Sequence, residues 1–204
     1  MASPIREARI ESWQPAVTVR FTPLVALTDD QLFDFCQLNR DLRIEQTAEG
    51  VLVFMAPAGA EASARNAELT RQLGNWARAD GTGLAFDSSV GFTLPNGATR
   101  SPDASWIRAE RWAALPPSAR RRFPLVCPDF VVELRSASDP LAALQAKMVE
   151  YIDNGARLGW LLDPERRAAH VYRPGRPPQV LLDSEALPAD PSLPGFVLDL
   201  RLIW

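Results

Sequence analysis

The sequence predicts an α/β (α+β) domain with a mixed central β-sheet that is flanked by helices and extended by β-hairpins. The stretch 127–162 indicates a strand, a helix and a second strand, and it is long enough for a parallel crossover connection. The segments around it are short strands separated by turn residues, as in antiparallel hairpins. The length of 204 residues and the hydrophobic content of 47% suit one domain with a single core.

The N-terminal residues 1–27 show no clear period and are predicted to form an arm or an edge segment. We expect one domain over residues 28–204, because the chain contains no internal repeat and no linker-like segment. Thr28 and Gln31 stand at the spacing of a capping box, which predicts that a short amphipathic helix begins there.

A hairpin and a long helix are predicted next. Segments 42–46 and 51–55 are separated by a short polar stretch that ends in Glu49 and Gly50, a pattern that predicts two paired strands. Residues 61–79 favour a helix, since leucine and tryptophan recur at helical spacing, and Gly81 ends the pattern. Further short strands are predicted at 84–86, 90–94 and 103–107.

The strand predicted over 129–135 is apolar except on one face, where Glu133 lies. Burying that carboxylate is costly unless a positively charged group contacts it. Asp139 is predicted as the N-cap of the next helix, with Pro140 at its first position, and Gly155 ends that helix.

Two further strands are predicted at 157–162 and 169–173, joined by a turn. The proline-rich tail is predicted to be loop with one or two short edge strands. His170, the only histidine, lies on a strand that we expect to be exposed. A surface position is therefore favoured over a metal ligand, and without a second histidine nearby we assign His170 no role.

Composition excludes several classes of protein. A formal net charge of −3 argues against a highly basic nucleic-acid coat, although a local nucleic-acid site depends only on the nearby field. Cys36 and Cys127 lack the spacing of a zinc site or of a disulfide framework. The chain start lacks a signal-peptide pattern, and no run approaches the roughly 20 apolar residues of a membrane span. We therefore expect a soluble, cytoplasmic protein that does not bind a membrane.

Lys147 is the only lysine of the chain and lies in the helix that follows the Glu133 strand. At about 100° per residue, this helix buries a stripe that includes Leu144, Met148 and Tyr151, and Lys147 falls at the edge of the stripe. Its ammonium group can therefore reach Glu133. By itself the pair fits a structural ion pair as well as a catalytic site.

Two aspartates precede strands and are candidates to join Glu133 around a divalent metal ion. Asp129 lies four residues before Glu133, about 13 Å away at roughly 3.3 Å per residue. Oxygen ligands lie about 2.0–2.6 Å from a shared ion, so this pair cannot chelate one. Asp103 begins a different strand and can lie beside Glu133, which makes it the better ligand. By itself, Asp103 also fits a residue that accepts hydrogen bonds from backbone donors at a strand start.

Arg135 lies one step beyond Glu133 on the same face of its strand. A guanidinium group is a poor general base because of its high pKa, but it can bind a phosphate in a bidentate manner. The sequence contains no nucleophile elbow, no catalytic triad and no glycine-rich phosphate loop.

Four segments in order carry a family resemblance: SPDASWI, PDFVVELRSASD, QAKMVEYIDNG and LGWLLDPERRAAHVYRPG. Together with the EGVLVFMAP hairpin, they resemble the Uma family ("Uma-two"), long classed as a domain of unknown function. Members of that family resemble the PD-(D/E)xK restriction-endonuclease-like superfamily. The resemblance covers about residues 28–204 and implies a restriction-endonuclease-like fold.

The resemblance also implies roles for individual residues. The motif aspartate falls on Asp103 and the motif (D/E) on Glu133. Arg135 stands in place of the motif lysine, and the displaced lysine of the family falls on Lys147. Glu61 corresponds to an additional acidic residue that many such nucleases place on the first long helix. The implied catalytic residues are Asp103, Glu133, Lys147 and Arg135, and the implied metal ligands are Asp103, Glu133 and Glu61.

The implied function is a metal-dependent endonuclease that hydrolyses DNA phosphodiester bonds with Mg²⁺ or Mn²⁺. Glu45, on the first hairpin, is a further acid that can face the site. One alternative is a catalytically degraded module of the same fold that binds nucleic acid or protein, which arginine at position 135 would suit. Another is a structural protein in which Glu133 and Lys147 only pair. We also expect a homodimer, which would place two sites on two strands.

Overall fold

The computed structural model describes residues 16–20 and 27–204. The α-helices in these ranges are α1 (Asp29–Leu38), α2 (Ala60–Asp80), α3 (Ala109–Ala114) and α4 (Leu141–Asp153). The strands are β1 (Ala16–Arg20), β2 (Arg43–Gln46), β3 (Val51–Met55), β4 (Gly83–Asp87), β5 (Phe92–Thr93), β6 (Thr99–Arg100), β7 (Ala104–Arg108), β8 (Phe130–Leu134), β9 (Leu158–Asp163), β10 (Ala168–Tyr172), β11 (Gln179–Leu182), β12 (Ala186–Pro188) and β13 (Val197–Asp199). Among the described helices, none combines the length and the apolar character needed to cross a membrane.

The larger sheet has six strands in the order β11-β10-β9-β8-β7-β4. β8 and β9 are parallel and are connected through α4, whereas the other neighbours are antiparallel. The predicted mixed sheet and its crossover connection are therefore confirmed. Every residue of β8, β9 and β10 is buried, as expected for strands that are covered on both faces.

A smaller sheet has five strands in the order β1-β3-β2-β6-β5. β2 and β3 form the predicted antiparallel hairpin, in which Glu45 pairs with Val53. β1 pairs with β3 at the edge of this sheet, so this part of the arm is an edge strand. Residues 1–15 and 21–26 of the predicted arm lie outside the described residues.

The tail forms more strands than the one or two that were predicted. β11 extends the larger sheet, and β12 pairs with β13 in a separate two-stranded sheet. The reason lies in the apolar residues between the prolines, since Leu187, Phe196 and Leu198 are buried against the larger sheet. The tail is therefore a packed layer rather than a surface loop.

Core side chains pack on both faces of the larger sheet, and successive side chains of β8 point alternately to the two faces. Phe130 faces α2 and the tail, with its ring centroid 6.1 Å from that of Phe196. Val131 faces the opposite side, where Met148 of α4 packs. Glu133 lies two residues beyond Val131 on that same side. The packing of α4 thus covers the one charged side chain near the middle of this face of β8.

The start of α1 was predicted correctly, and the start of α4 was not. Thr28 Oγ1 accepts a hydrogen bond from the N–H of Gln31 at 3.2 Å, and Gln31 Oε1 accepts one from the N–H of Thr28 at 3.0 Å, which completes the capping box. The N-cap of α4 is Pro140 rather than Asp139. The Asp139 carboxylate instead accepts the N–H of Ser136 at 3.0 Å and stabilises the loop between β8 and α4.

The expectation that His170 lies on the surface is wrong, because this residue is only 8% exposed. Burial lowers the pKa of His170. β10 lies between β9 and β11, with Val171 facing the tail and Tyr172 facing α4. The strand is covered by elements that are distant in sequence, and its own short pattern could not predict them.

Candidate active site

Asp103 and Glu133 lie on neighbouring strands of the larger sheet. The register of β7 and β8 pairs Ala104 with Val132, so one step further places Asp103 opposite Glu133. Directly opposed residues of antiparallel strands project from the same face. Asp103 Oδ2 accepts a hydrogen bond from the Leu134 N–H at 2.9 Å. Both residues are buried, at 7% and 3% exposure respectively.

Lys147 reaches this pair from α4. Its Nζ lies 2.8 Å from Oε1 of Glu133 and 2.8 Å from Oε1 of Glu45. The side chain of Lys147 is only 13% exposed. One turn further along α4, the Tyr151 hydroxyl donates to the same Glu133 oxygen at 3.0 Å. The ammonium group therefore bridges two carboxylates from different sheets, since Glu45 belongs to β2 and Glu133 to β8.

Glu45 is held in place by a second cation and by the backbone. Its Oε1 accepts the Ser101 N–H at 2.9 Å, and its Oε2 lies 3.3 Å from Nη1 of Arg100. Arg100 in turn contacts Oε2 of Glu150 on α4 at 2.6 Å. These contacts fix the smaller sheet against α4 and fix Glu45 at the site.

Asp103 has two side-chain partners that the sequence did not reveal. Arg43 of β2 lies 3.4 Å from Asp103 Oδ1 and donates to the Ser101 carbonyl at 2.6 Å. Asn66 of α2 donates through Nδ2 to the same Asp103 oxygen at 3.2 Å. Three elements thus converge on this carboxylate: the hairpin, the first long helix and β8.

Burial and charge act differently on the acids of this cluster. Burial raises the pKa of Glu133 to about 7, against the opposing effect of Lys147 and with a further contribution from Asp103. Burial would also raise the pKa of Glu45, but Lys147 and Arg100 outweigh it and hold that pKa below its usual value. Glu45 is therefore ionised at neutral pH, whereas Glu133 titrates close to it.

The carboxylates of Glu133 and Glu45 also shift the pKa values of Lys147 and Tyr151 on α4. Burial would lower the pKa of Lys147, but Glu133 and Glu45 outweigh it and raise that pKa. Lys147 is therefore a protonated ammonium at neutral pH. Burial and the same two carboxylates raise the pKa of Tyr151 well above its ordinary value, so its hydroxyl remains a donor.

A cavity of about 570 Å³ opens beside this cluster, between the smaller sheet and the β8–α4 region. Its apolar lining comes from β3 and the residues that follow it and from α4, namely Val53, Met55, Ala56, Pro57, Ala58, Ala143 and Leu144. The lining also carries charged side chains. These are the cations Arg43, Arg100 and Lys147 and the acids Glu45, Asp103, Glu133, Asp139 and Glu150.

The structure does not bring Glu61 and Arg135 into the cluster. Glu61 is exposed and lies 3.4 Å from Arg65, one turn along α2. Arg135 Nη1 lies 2.8 Å from the buried Asp163, and its Nε donates to the Asp139 carbonyl at 3.1 Å. Both residues line a second cavity of about 420 Å³, which shares Ala62, Leu134 and Ser136 with the first. They are neighbours of the site rather than members of the cluster.

Asp129 lies at the other end of β8, where it has its own partners. Its Oδ1 lies 3.0 Å from Nη1 of Arg111, and its Oδ2 accepts the Arg108 N–H at 3.0 Å. The structure thus separates Asp129 from Glu133, in line with the spacing argument from the sequence.

The donor set at Asp103 and Glu133 suits a hard divalent cation. No group of three or more Asp, Glu, His or Cys side chains forms a metal site within the described part of the chain. Mg²⁺ requires fewer protein ligands, because it keeps several waters and binds one or two carboxylates together with substrate phosphates. Asn66 Oδ1 is a buried oxygen without a hydrogen-bond partner among the described residues, and it belongs to the side chain that contacts Asp103.

Sequence patterns indicate only weakly that Tyr151 and Glu45 belong to the site. Tyr151 follows Lys147 by four residues, and this spacing places both side chains on one face of a helix. Glu45 alternates with Ile44 along β2, yet both are buried. No sequence pattern predicted that Arg43, Asn66 and Arg100 lie at the site, because their positions depend on how the hairpin and α2 pack on β8.

The mixed sheet, its crossover helix and the buried acids beside a lysine define an α/β protein with a charged candidate active site. Residues 29–201 match the sequence model of the Uma2 family, whose description is "Putative restriction endonuclease". The match covers most of the chain, and the protein belongs to the Uma2 family. The family resemblance predicted from the sequence is therefore confirmed.

A solved structure shares this fold. It is described as the crystal structure of "a putative nuclease belonging to DUF820" from Anabaena variabilis ATCC 29413. The two structures align with a TM-score of 0.69 at 19% sequence identity, over 87% of this chain and 97% of that one. A comparison with curated proteins gives no match. The predicted fold class is confirmed by this similarity.

Proposed function

We propose that this protein is a metal-dependent endonuclease that hydrolyses DNA phosphodiester bonds in the cavity beside β8. The observation that carries the proposal is the convergence of Asp103, Glu133 and Lys147, from three elements, at one wall of that cavity. Membership of a family described as "Putative restriction endonuclease" supports the same chemistry.

The charge of the cavity supports a requirement for a divalent cation. Three cationic and five acidic side chains line it, which gives a formal charge of −2 when every acid is ionised. A phosphodiester is itself an anion and would be repelled by this field. Asp103 and Glu133 would hold Mg²⁺ or Mn²⁺, which supplies Lewis-acid polarisation of a phosphoryl oxygen and activation of water.

The side chains around the two carboxylates would organise the reaction. Hydrolysis places negative charge on the phosphoryl oxygens as water attacks phosphorus and one ester oxygen leaves. Lys147 is a protonated group 2.8 Å from Glu133 and would stabilise that charge. Glu45 fixes the position of Lys147 through its 2.8 Å contact. Tyr151 fixes Glu133 through its hydroxyl.

Arg135 would act from the second cavity. Its Nη1 is engaged by Asp163, so only the remaining guanidinium nitrogen is left for a phosphate. In this proposal Arg135 contacts the next phosphate along the strand and does not touch the scissile one. Glu61, in the same cavity, would contact a metal ion only after leaving Arg65.

The test is cleavage of labelled DNA oligonucleotides and plasmid DNA with and without Mg²⁺ or Mn²⁺. Asp103→Asn, Glu133→Gln and Lys147→Met should each lower the cleavage rate by about a hundredfold or more, as loss of a group that stabilises transition-state charge does. Glu110→Gln and Arg201→Met change exposed charges outside the cavity and serve as matched controls. Cleavage without added metal, or unchanged cleavage by all three site variants, would refute the proposal.

A binding module without catalysis is the second candidate function. The observation that favours it is that each candidate ligand is already paired with a protein cation, Asp103 with Arg43 and Glu133 with Lys147. Arginine at position 135 supports the same interpretation. Such a module would bind DNA or a protein without a Mg²⁺-dependent step. Titration of DNA binding and cleavage against Mg²⁺ distinguishes the two functions.

We also propose a homodimer, with β11 as the contact. β11 is the edge strand of the larger sheet, and Val180 and Leu182 on it are 49% and 66% exposed. Pairing of two edge strands would join two sheets and cover these side chains. Light scattering during size-exclusion chromatography tests this proposal, and Leu182→Lys should shift a dimer towards the monomer.

A further inference from the structure

The cavity beside the carboxylates has an apolar part that phosphodiester chemistry alone does not require. Val53, Met55, Pro57 and Leu144 line it together with the polar cluster. Val53 lies directly opposite Glu45, and Met55 directly opposite Arg43, in the pair of β2 and β3. Its volume of about 570 Å³ lies within the range of about 300–1,000 Å³ that is typical of sites for small organic ligands. A phosphate group and a metal ion would fill only a part of it.

The acids lie inside this cavity rather than on an open surface. The side chains of Glu133 and Glu45 are each 4% exposed, and that of Asp103 is 9% exposed. A phosphodiester must therefore enter the cavity to reach them. A phosphate in an intact duplex brings a paired base and the opposite strand with it, whereas an unpaired nucleotide enters alone.

From this geometry we infer that the substrate is an unpaired nucleotide, in single-stranded DNA or extruded from a duplex, whose base lies against the apolar wall. This inference rests on the proposed nuclease function and specifies its substrate. Enzymes that act on single nucleotides commonly hold an extruded base between apolar or aromatic side chains. Here Met55 and Leu144 offer the base apolar contact, while its phosphate faces Lys147 and the two carboxylates.

The charged and the apolar side chains of the cavity suit different parts of a nucleotide. The cavity lining carries eight charged side chains, which favour the phosphate and its metal ion. Its apolar side chains favour the flat face of a base, because burying that face removes apolar surface from water. Apolar contact with the flat face of a base does not distinguish one base from another, so we expect weak sequence preference.

The test compares three DNA substrates of the same sequence with Mg²⁺: a single strand, a fully paired duplex, and a duplex with one unpaired nucleotide. The single strand and the duplex with the unpaired nucleotide should be cut at least about tenfold faster than the paired duplex, since each tenfold in rate corresponds to about 1.4 kcal/mol. In the bulged duplex, the cut should fall next to the unpaired nucleotide.

A matched pair of variants tests the apolar wall directly. Ala143 and Ala142 are adjacent exposed residues of α4, but only Ala143 lines the cavity. Ala143→Trp should fill the apolar side and lower single-strand cleavage about tenfold, mainly by raising KM. Ala142→Trp should leave it unchanged. A fluorescent base analogue at the unpaired position should report entry into an apolar environment with the wild type and not with Ala143→Trp.

The outcomes separate the inference from the proposed function. If the paired duplex is cut as fast as the single strand, the inference is wrong and the nuclease function stands. If Ala143→Trp cuts every substrate as the wild type does, the apolar wall is not the base site and the inference is again wrong. If no substrate is cut under any metal condition, the nuclease function fails and this inference fails with it.

Discussion

The Nζ atom of Lys147 lies 2.8 Å from Oε1 of Glu133, and this contact joins the only lysine of the chain to a carboxylate at the centre of the larger sheet. Glu45 contacts the same ammonium group at an equal distance. One cation thus separates two buried acids. The arrangement predicts both the stability and the chemistry of the site.

Removing Lys147 should destabilise the fold. Lys147→Met leaves Glu45 and Glu133 buried without their shared cation, and loss of one partner of a buried ion pair typically costs about 3–5 kcal/mol. Urea unfolding at pH 7, followed by tryptophan fluorescence, measures the change. The double variant Glu133→Gln with Lys147→Met should recover much of the loss, because Glu45 keeps Arg100 as its partner. Equal stability of Lys147→Met and wild type would contradict this assignment.

The stability of the metal-free protein should fall as the pH rises from about 5 to 7. The pKa of Glu133 is about 7 in the folded protein against an ordinary value of 4.5, so the folded state holds a proton that the unfolded chain has released. The slope contributed by Glu133 should reach at most about 1.4 kcal/mol per pH unit. Unfolding is measured with EDTA across this range.

Glu133→Gln is the control for this pH dependence. Burial lowers the pKa of His170, whose contribution to stability is lost as the pH falls and therefore has the opposite sign. The difference between the wild type and Glu133→Gln isolates Glu133 from that background. If the two proteins have parallel pH profiles, Glu133 does not hold a proton near neutral pH.

Tyr151→Phe should weaken the site while keeping its packing. The variant loses the hydroxyl that donates to Glu133 at 3.0 Å, and a hydrogen bond to a charged group contributes about 1.5–3 kcal/mol. The ionised form of Glu133 then has one donor fewer, so its pKa should rise further. Unfolding and cleavage assays at several pH values test this. Tyr172→Phe, a buried tyrosine of β10 outside the cavity, is the control.

Arg135→Ala should destabilise the protein more than it slows cleavage. Asp163 is fully buried, and Arg135 is its ion-pair partner at 2.8 Å. Removing the guanidinium group should cost about 3 kcal/mol or more, since an uncompensated buried charge remains. Arg135→Lys should recover part of this stability. A folded Arg135→Ala protein that has lost cleavage entirely would instead place Arg135 at the scissile phosphate.

The sequence predicts the parts of this site that local patterns determine. The strand, helix and strand over 127–162 follow from apolar periodicity and from the turn residues between them. The positions of Asp103 and Lys147 follow from strand alternation and helical spacing. Strand spacing also predicts that Asp103, rather than Asp129, lies beside Glu133, because Asp129 is too distant along the same strand.

The remaining contacts depend on packing between distant elements. Arg43 and Glu45 reach the site because the β2–β3 hairpin docks beside β8, and no pattern within the hairpin specifies that position. The burial of His170 could not be predicted for the same reason, since β10 lies between β9 and β11 and is covered by elements distant from it in sequence. Helix periodicity also predicted that Tyr151 lies in the core, and it is buried. The spacing of Tyr151 and Lys147 only suggests that its hydroxyl also donates to Glu133.

The central claim is that Asp103 and Glu133 together hold a divalent cation beside Lys147. Crystals of the protein grown with saturating Mn²⁺ and measured at an anomalous wavelength test it most directly. We predict one strong anomalous peak in the cavity, about 2.0–2.6 Å from a carboxylate oxygen of each residue. A Mn²⁺ peak elsewhere with none between these carboxylates, or an ion bound by only one of them, would contradict the claim.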